Sequence, residues 1–524
     1  AVVLGFFCLM LMWIGLTWPA QKAAGPRRIQ STDPALRLKG YETHLEMTTS
    51  SAFAALKWSH IGPTNVSGRS TDIAVVRPRG KSYVIYVATA SGGLWKTVNE
   101  GTTWEPVFDR APSTSIGDVA IAPSNPDIVW VGTGEANIFR SSQSGCGVYK
   151  STDGGKSWQH MGLAETYTIP RIVIHPDNPD IVYVAVSGHE WTDNAERGVY
   201  KTTDGGKTWE KILYINERTG AIDLVMDPSD SQTLYAAMWQ RIRLKWNDPR
   251  NFASYSESGI YKTTDGGKTW APINTGLPEP RFRGRIGIDV CLKKPDVLYA
   301  LVDNYELARE PSQEERTGIY GLPSSGIIKG ATVYRTEDKG QHWTLVAPTT
   351  PEMKSYLERH SGTYGWVFGQ IRVDPNDENI VYIMGVPLSV STDGGKTFRT
   401  LRGMHADHHG LWIDPDNSDY LVNVNDGGIV ISYDKGKNWR QFTHNLPVCQ
   451  FFNIAYDMAT PFRVYGSMQD HGSYRGQVLR KKDRLTGALL EGYEQVEFER
   501  APGGEGCSHA IDPINPNIVY SASF

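Results

Sequence analysis

The run His405-Ala406-Asp407-His408-His409 is a dense group of metal-capable side chains. In an extended chain His405, Asp407 and His409 share one side, and ligands two residues apart on a strand can hold zinc, with Asp470, His471 or His509 as a third donor. A hydrogen-bonded His/Asp network uses the same residues without an ion and is the simpler expectation. No standard zinc motif is matched, so no cofactor is expected beyond a structural metal at His405, Asp407 and His409. A second group mixes aromatic and charged side chains: Glu135, His189, Glu190, Trp191, Trp239, Arg241, Arg243, Trp246 and Tyr305. They fall in or beside four long irregular stretches, 133–147, 187–198, 238–259 and 303–331, and suit sugar rings or peptide. Packing on one another is the equal alternative. Asp118, Arg171 and Asp223 fall at the same step before successive turns and are expected to face a shared channel. An ion-pair layer is the plainer reading there, with ligand binding by Arg171 the other.

The elements that position these residues follow from a repeat. Residues 97–104, 151–158, 202–209, 263–270, 336–343, 391–398 and 432–439 share the form Ser/Thr-x-Asp-x-Gly-x-x-aromatic, the Asp box. The acid is Asp153, Asp204, Asp265, Asp338, Asp393 and Asp434, with Asn99 in the first copy. The pattern predicts a hairpin turn: the carboxylate accepts from turn amides, the hydroxyl adds a bond, and glycine allows positive φ. Asn99 keeps the acceptor and loses the acid, so the boxes are assigned to structure and not to catalysis.

Before each box runs an apolar strand, a Pro/Asn/Asp turn and a second strand, as in 119–131, 172–184, 371–383 and 411–424. Each unit therefore predicts a four-stranded antiparallel blade, and the whole an all-β propeller. In such a blade the box turns lie on one face, and the loops between second and third strands and between blades lie on the other. The long stretches belong to that second face, where loops carry recognition on a rigid scaffold. Residues 55–446 are expected to form a seven-bladed propeller, closed by a strand from 55–63 lent to the last blade. Residues 447–524 are expected to begin a second propeller that continues past the end of the sequence. A single ten-bladed ring is the alternative.

Among 524 residues, 53 basic and 57 acidic side chains give a net charge of −4, which offers no broad cationic field for nucleic acid. Residues 1–24, apolar from Val2 to Trp18, are expected to be a signal peptide or anchor, with 25–54 a linker. The protein is then exported, to the periplasm, cell surface or medium, and meets membrane only through that segment if it is kept. Cys8, Cys146, Cys291, Cys449 and Cys507 are spread too widely for a metal cage, and no disulfide is assigned.

With its boxes and with 67–95, 405–414 and 464–472, the chain resembles exported bacterial BNR/Asp-box proteins of the sortilin-like and xyloglucanase-like group. Xyloglucanases of this architecture pair two seven-bladed propellers, with one catalytic Asp from each facing a sugar cleft. The first lies in a Thr-Asp-x-Gly-Gly loop, matched here by Thr89-Ala90-Ser91-Gly92-Gly93, which lacks the carboxylate. Asp470, in Gln469-Asp470-His471-Gly472-Ser473, matches the second. Inverting hydrolysis needs both an acid and a base, so glycosidase action requires Glu135 or another loop acid as substitute. Sialidases carry Phe/Tyr-Arg-Ile-Pro; the nearest run is Ile169-Pro170-Arg171, in the wrong order. The leading expectation is a binding or scaffold propeller presenting its long-loop face to peptide or polysaccharide, and the alternative is a tandem-propeller glycoside hydrolase.

Overall fold

A computed structural model describes residues 31–522, apart from 57, 77–81, 139–141, 242–256, 311, 314–326, 347–349 and 362–364. The signal segment 1–24, Cys8, Arg243 and Trp246 lie outside the described residues. Pairing follows the repeat. The first sheet is Ser70–Val76, Val84–Thr89, Leu94–Thr97 and Glu105–Pro106, in that spatial order. Six further sheets repeat this meander, ending with His408–Ile413, Leu421–Asn425, Gly428–Ser432 and Arg440–Gln441. An eighth is built from Phe451–Tyr456, Arg463–Met468, Gly472–Gln477 and Glu499–Arg500, and a hairpin of His509–Ile511 and Val519–Ser521 follows. The chain is thus almost wholly β, in antiparallel four-stranded sheets.

The box-bearing sheets bury both faces of their middle strands, which read as apolar runs: Val182–Val186 is buried throughout. The seven box-bearing sheets pack in chain order, and the seventh packs on the first. There Ile73, Ile85 and Val87 share a core with Val422, Val424 and Ile431, and Tyr83 stacks on Tyr420 at 4.1 Å. Among the described residues the lent strand is not found: the outermost strand of the seventh sheet is its own Arg440–Gln441. Residues 61–65 run beside 496–498 instead, where Asn65 exchanges two 2.9 Å bonds with the backbone of Phe498. The segment that precedes the first sheet is thereby tied to the eighth.

All seven boxes fold alike. In the sixth copy Ser391 Oγ donates to Asp393 Oδ1 at 2.8 Å and accepts the amide of Gly395 at 2.8 Å, while Asp393 accepts the Thr397 amide at 2.9 Å. The first copy repeats this with Asn99 accepting from Thr97 and from the Thr103 amide, both at 2.9 Å. The box aromatic anchors the sheet before it: the indoles of Trp158, Trp209 and Trp343 donate to Val107, Met161 and Ile273 carbonyls at 2.6–2.8 Å. Lys96 and Lys201 reach the other way, to the carbonyls of Gly154 and Gly266 in the next sheet's box, both at 2.7 Å. One turn therefore fixes a hairpin and ties it twice to the sheet before it. Ser391 is fully buried, so Ser391→Ala leaves the Gly395 amide without its acceptor. A loss of about 1–3 kcal/mol in urea unfolding is expected; an unchanged midpoint would deny the box its structural role.

The inner strands carry a second device. Asp72, Asp118, Asp223 and Asp289 each accept a backbone amide of a neighbouring sheet's inner strand, from Val119, Ile172, Ile288 and Val373 at 2.8–3.1 Å. Arg171 bridges Asp118 at 2.9 Å and Asp223 at 3.2 Å, the ion-pair layer read from the aligned strands. Its guanidinium is therefore engaged in holding three sheets together. No two of the described cysteines are bonded.

Candidate functional site

Three loops of the face opposite the boxes bring carboxyl groups together. Asp407 lies on the connection into the seventh sheet, Asp426 in that sheet's turn between second and third strands, and Asp470 in the matching turn of the eighth. One oxygen from each lies within 4.8 Å of the others. Asp407 and Asp470 hold φ of +66° and +60°, in the left-handed region that Asp tolerates better than most residues. A cavity of about 100 Å³ opens on this cluster, lined also by Arg69, Val367, Phe368 and Gln469.

Asp426 is the hub. It is 3% exposed, faces the Arg69 guanidinium at 3.4 Å and pairs with His409 Nε2 at 2.7 Å. Arg69 also binds Glu135 at 2.6 Å and the Asn137 carbonyl at 2.8 Å. The Asn137 side chain then links His409 Nδ1 at 3.0 Å to Arg285 at 2.8 Å, and Arg285 donates to the Val367 carbonyl at 2.6 Å. The cluster is thereby fixed to sheets one, two, five and seven.

These partners separate the three acids electrically. Burial alone would raise Asp426, but the Arg69 guanidinium and His409 outweigh it and hold the carboxyl below the usual carboxylate range. Burial, then the charge of Asp426 and a hydrogen bond shared with it, push Asp470 up to about 8. Burial and Asp426 push Asp407 up to about 7 against the pull of Arg69 and His405. Burial raises Glu135 too, opposed by Arg69. Near neutrality the site therefore holds a fixed anion beside a carboxylic acid that carries its proton, the pairing used for acid catalysis.

The expected His405/Asp407/His409 metal set is not brought together. Left-handed Asp407 breaks the extended run, the strand begins at His408, and alternation across 405–409 is lost. His409 turns to Asp426 and Asn137, whereas His405 contacts the Ala406 and Asp470 carbonyls at 3.0 and 3.2 Å. Within the described residues the donor group of metal size is Asp407, Asp426 and Asp470, with the Arg69 guanidinium 3.4 Å from Asp426. Of the network residues, Arg69, Asn137, Arg285 and Asp426 were not legible in the sequence. Asp426 sits in Asn425-Asp426-Gly427-Gly428, which reads as an ordinary turn.

Glu135, His189, Glu190 and Trp191 do meet, around a cavity of about 320 Å³ between the loops of the second and third sheets. Trp239, Arg241 and Tyr305 do not reach it, and are 3%, 1% and 2% exposed. Their stretches begin inside strands, Asp230–Gln240 and Leu298–Arg309, so Trp239 packs in a core and Tyr305 lies against Ile328. The 89–93 loop holds no acid: Thr89 Oγ1 accepts the Gly92 amide at 2.8 Å in a local turn.

The Sortilin-Vps10 family model, described as sortilin, neurotensin receptor 3, matches residues 146–317. A xyloglucanase of Paenibacillus sp. is 23% identical over 50% of this chain and 24% of its own length. A probable oligoxyloglucan-reducing end-specific xyloglucanase of Neosartorya fischeri is 25% identical over 78% of this chain and 49% of its own length. The chain thus spans half or less of these two relatives. Among solved structures, the GH74 enzyme of Niastella koreensis superposes with a TM-score of 0.55 at 17% identity, covering 89% of this chain and 65% of that one. With seven boxes folded alike and likenesses of this kind, the chain has an Asp-box β-propeller fold and is similar over part of its length to sortilin-like and xyloglucanase-like propellers.

Proposed function

We propose that this propeller binds and cleaves a polysaccharide on its long-loop face, with Asp470 as proton donor to the departing sugar oxygen. The observation that carries the reading is a cavity-lining carboxyl, Asp470, raised to about 8 beside an anion that Arg69 and His409 hold ionised. A general acid must carry its proton at working pH, and this arrangement keeps it there. Inverting hydrolysis also needs a base about 6.5–9.5 Å from the acid. Asp407 and Asp426 stand too close to Asp470 for that role. Glu135, across the Arg69 guanidinium from Asp426, is assigned to activate water. The xyloglucanase relatives support a polysaccharide as partner. The apolar 1–24 segment supports export; among the described residues no helix is long and apolar enough to cross a membrane.

A second reading, an exported binding or scaffold propeller for glycan or peptide, is favoured by one observation: Glu135 is 4% exposed and tied to Arg69, which weakens it as a base. Incubation with xyloglucan and other plant and bacterial polysaccharides separates the two. Release of reducing sugar that disappears in Asp470→Asn supports hydrolysis. Saturable glycan or peptide binding with no release supports the scaffold.

A further inference from the structure

The hydrogen bonds behind Asp426 form a one-way chain. Arg285 is buried, and its guanidinium donates to the Val367 carbonyl at 2.6 Å and to Asn137 Oδ1 at 2.8 Å. A guanidinium carries donors and no acceptor, so the Asn137 amide must turn its oxygen toward Arg285 and its NH2 toward His409. That NH2 meets His409 Nδ1 at 3.0 Å, and Nδ1 must then be the bare, accepting nitrogen. In a neutral imidazole the proton is left on Nε2, which lies 2.7 Å from Asp426 Oδ1. Each group passes a donor to the next, and the series ends on the anion beside Asp470.

The preceding residue on the same strand is wired in the opposite sense. Asn423 Nδ2 donates to the Gly410 carbonyl at 2.8 Å, which fixes that amide with its oxygen 2.7 Å from His408 Nδ1. His408 therefore carries its proton on Nδ1, and burial, which pushes it down to about 4, keeps it neutral. Two adjacent buried histidines thus hold opposite tautomers, each set by an amide that a guanidinium or a backbone carbonyl has already oriented.

The charged and titratable groups facing His409 are Arg69, Asp426, Arg285 and His408. Burial and Arg69 make its second protonation harder, against the pull of Asp426. A second proton would also have to sit on Nδ1, against the amide hydrogens of Asn137.

We infer that Arg285 is a positioning residue for the acid cluster: through Asn137 it holds His409 as the neutral Nε2–H tautomer, so that Asp426 Oδ1 receives a hydrogen bond without a second full positive charge beside that of Arg69. The chemical consequence rests on the proton-donor reading of Asp470. A neutral donor orients the Asp426 carboxylate and leaves its pull on the Asp470 proton intact, whereas an imidazolium would cancel much of that pull.

The test is heteronuclear NMR of full-chain protein with isotope-labelled histidines, in which protonated and bare ring nitrogens differ in shift. His409→Gln assigns the signal, and His408 is the internal reference of opposite tautomer. Near neutral pH the parent is expected to carry the His409 proton on Nε2 alone. In Arg285→Met the Asn137 amide is free to turn, and His409 Nδ1 is expected to gain a proton. Arg285→Lys keeps a cation with donors only and is expected to hold the parent tautomer. Asn137→Asp places an acceptor at Nδ1 and is expected to leave both His409 nitrogens protonated. A proton on His409 Nδ1 in the parent, its absence in Arg285→Met or Asn137→Asp, or its presence in Arg285→Lys overturns the inference. A purely structural role for Arg285 would cost stability and leave the tautomer unmoved. If the tautomer responds as expected while parent protein releases no reducing sugar, the proton-donor reading fails and the positioning of Asp426 stands.

Discussion

Asp470→Asn protein is expected to release reducing ends from xyloglucan at least about 100-fold more slowly than the parent near neutral pH, with unchanged binding of the intact polymer. General acid catalysis contributes roughly 10²–10⁴-fold, and an amide cannot replace the proton. The parent's pH profile should carry the same signature. Burial and Asp426 raise Asp470 to about 8, so the acid is competent below that value and activity falls as pH rises through it. Asp426→Asn removes the neighbouring anion, which favours ionisation of Asp470, and should move the alkaline limb to lower pH. A flat profile through this range, or full activity in Asp470→Asn, would remove Asp470 from the chemistry. The stability linkage runs in the same sense. A carboxyl raised in the folded state is bound to its proton more tightly there than in the unfolded chain, so its contribution is present at low pH and is lost as pH rises toward 8.

The largest stability effect is expected at Arg69. This guanidinium, with its side chain 10% exposed, is the shared counter-ion of Glu135 and Asp426, which are 5% and 4% exposed. Arg69→Met leaves both carboxylates buried without it, and breaking such a pair costs about 3–5 kcal/mol. The cost depends on pH. Without the cation both acids shift upward in the folded state, so they favour folding least where the unfolded chain would be ionised. The deficit in urea unfolding should therefore be small near pH 4 and grow toward pH 8. Arg69→Lys keeps the charge but not the fork that spans two carboxylates and a carbonyl, and should fall between. A deficit that is small at every pH would show that the network is not what ties these sheets together.

The repeat was legible because each box is a closed local unit. Ser/Thr, Asp and Gly at fixed spacing satisfy one another's hydrogen bonds within five residues, so the pattern predicts the same turn seven times, even where Asn99 replaces the acid. The ion-pair step was legible for a related reason: residues at equal positions of equal strands face one axis, and Arg171 does meet Asp118 and Asp223. The His405–His409 run failed because alternation holds only in an extended chain, and one left-handed residue, Asp407, breaks it. Trp239 and Tyr305 failed because strand ends were drawn too early: Asp230–Gln240 and Leu298–Arg309 outlast their apolar patterns, since a long hairpin keeps pairing beyond its core.

By itself the sequence determined the box turns, the strand order within each unit, the propeller architecture and the face on which recognition would be sought. All are set by contacts close along the chain or by periodic burial. Tertiary structure alone decided which side chains meet: Arg69, Asp407, Asp426 and Asp470 line one cavity and Glu135 joins them through Arg69, the five coming from four sheets. It also decided their protonation, because the proton on Asp470 is kept by burial and by an anion 44 residues away in the chain. Charge interactions depend on distance through space and on the water excluded between groups, and neither is written in local sequence.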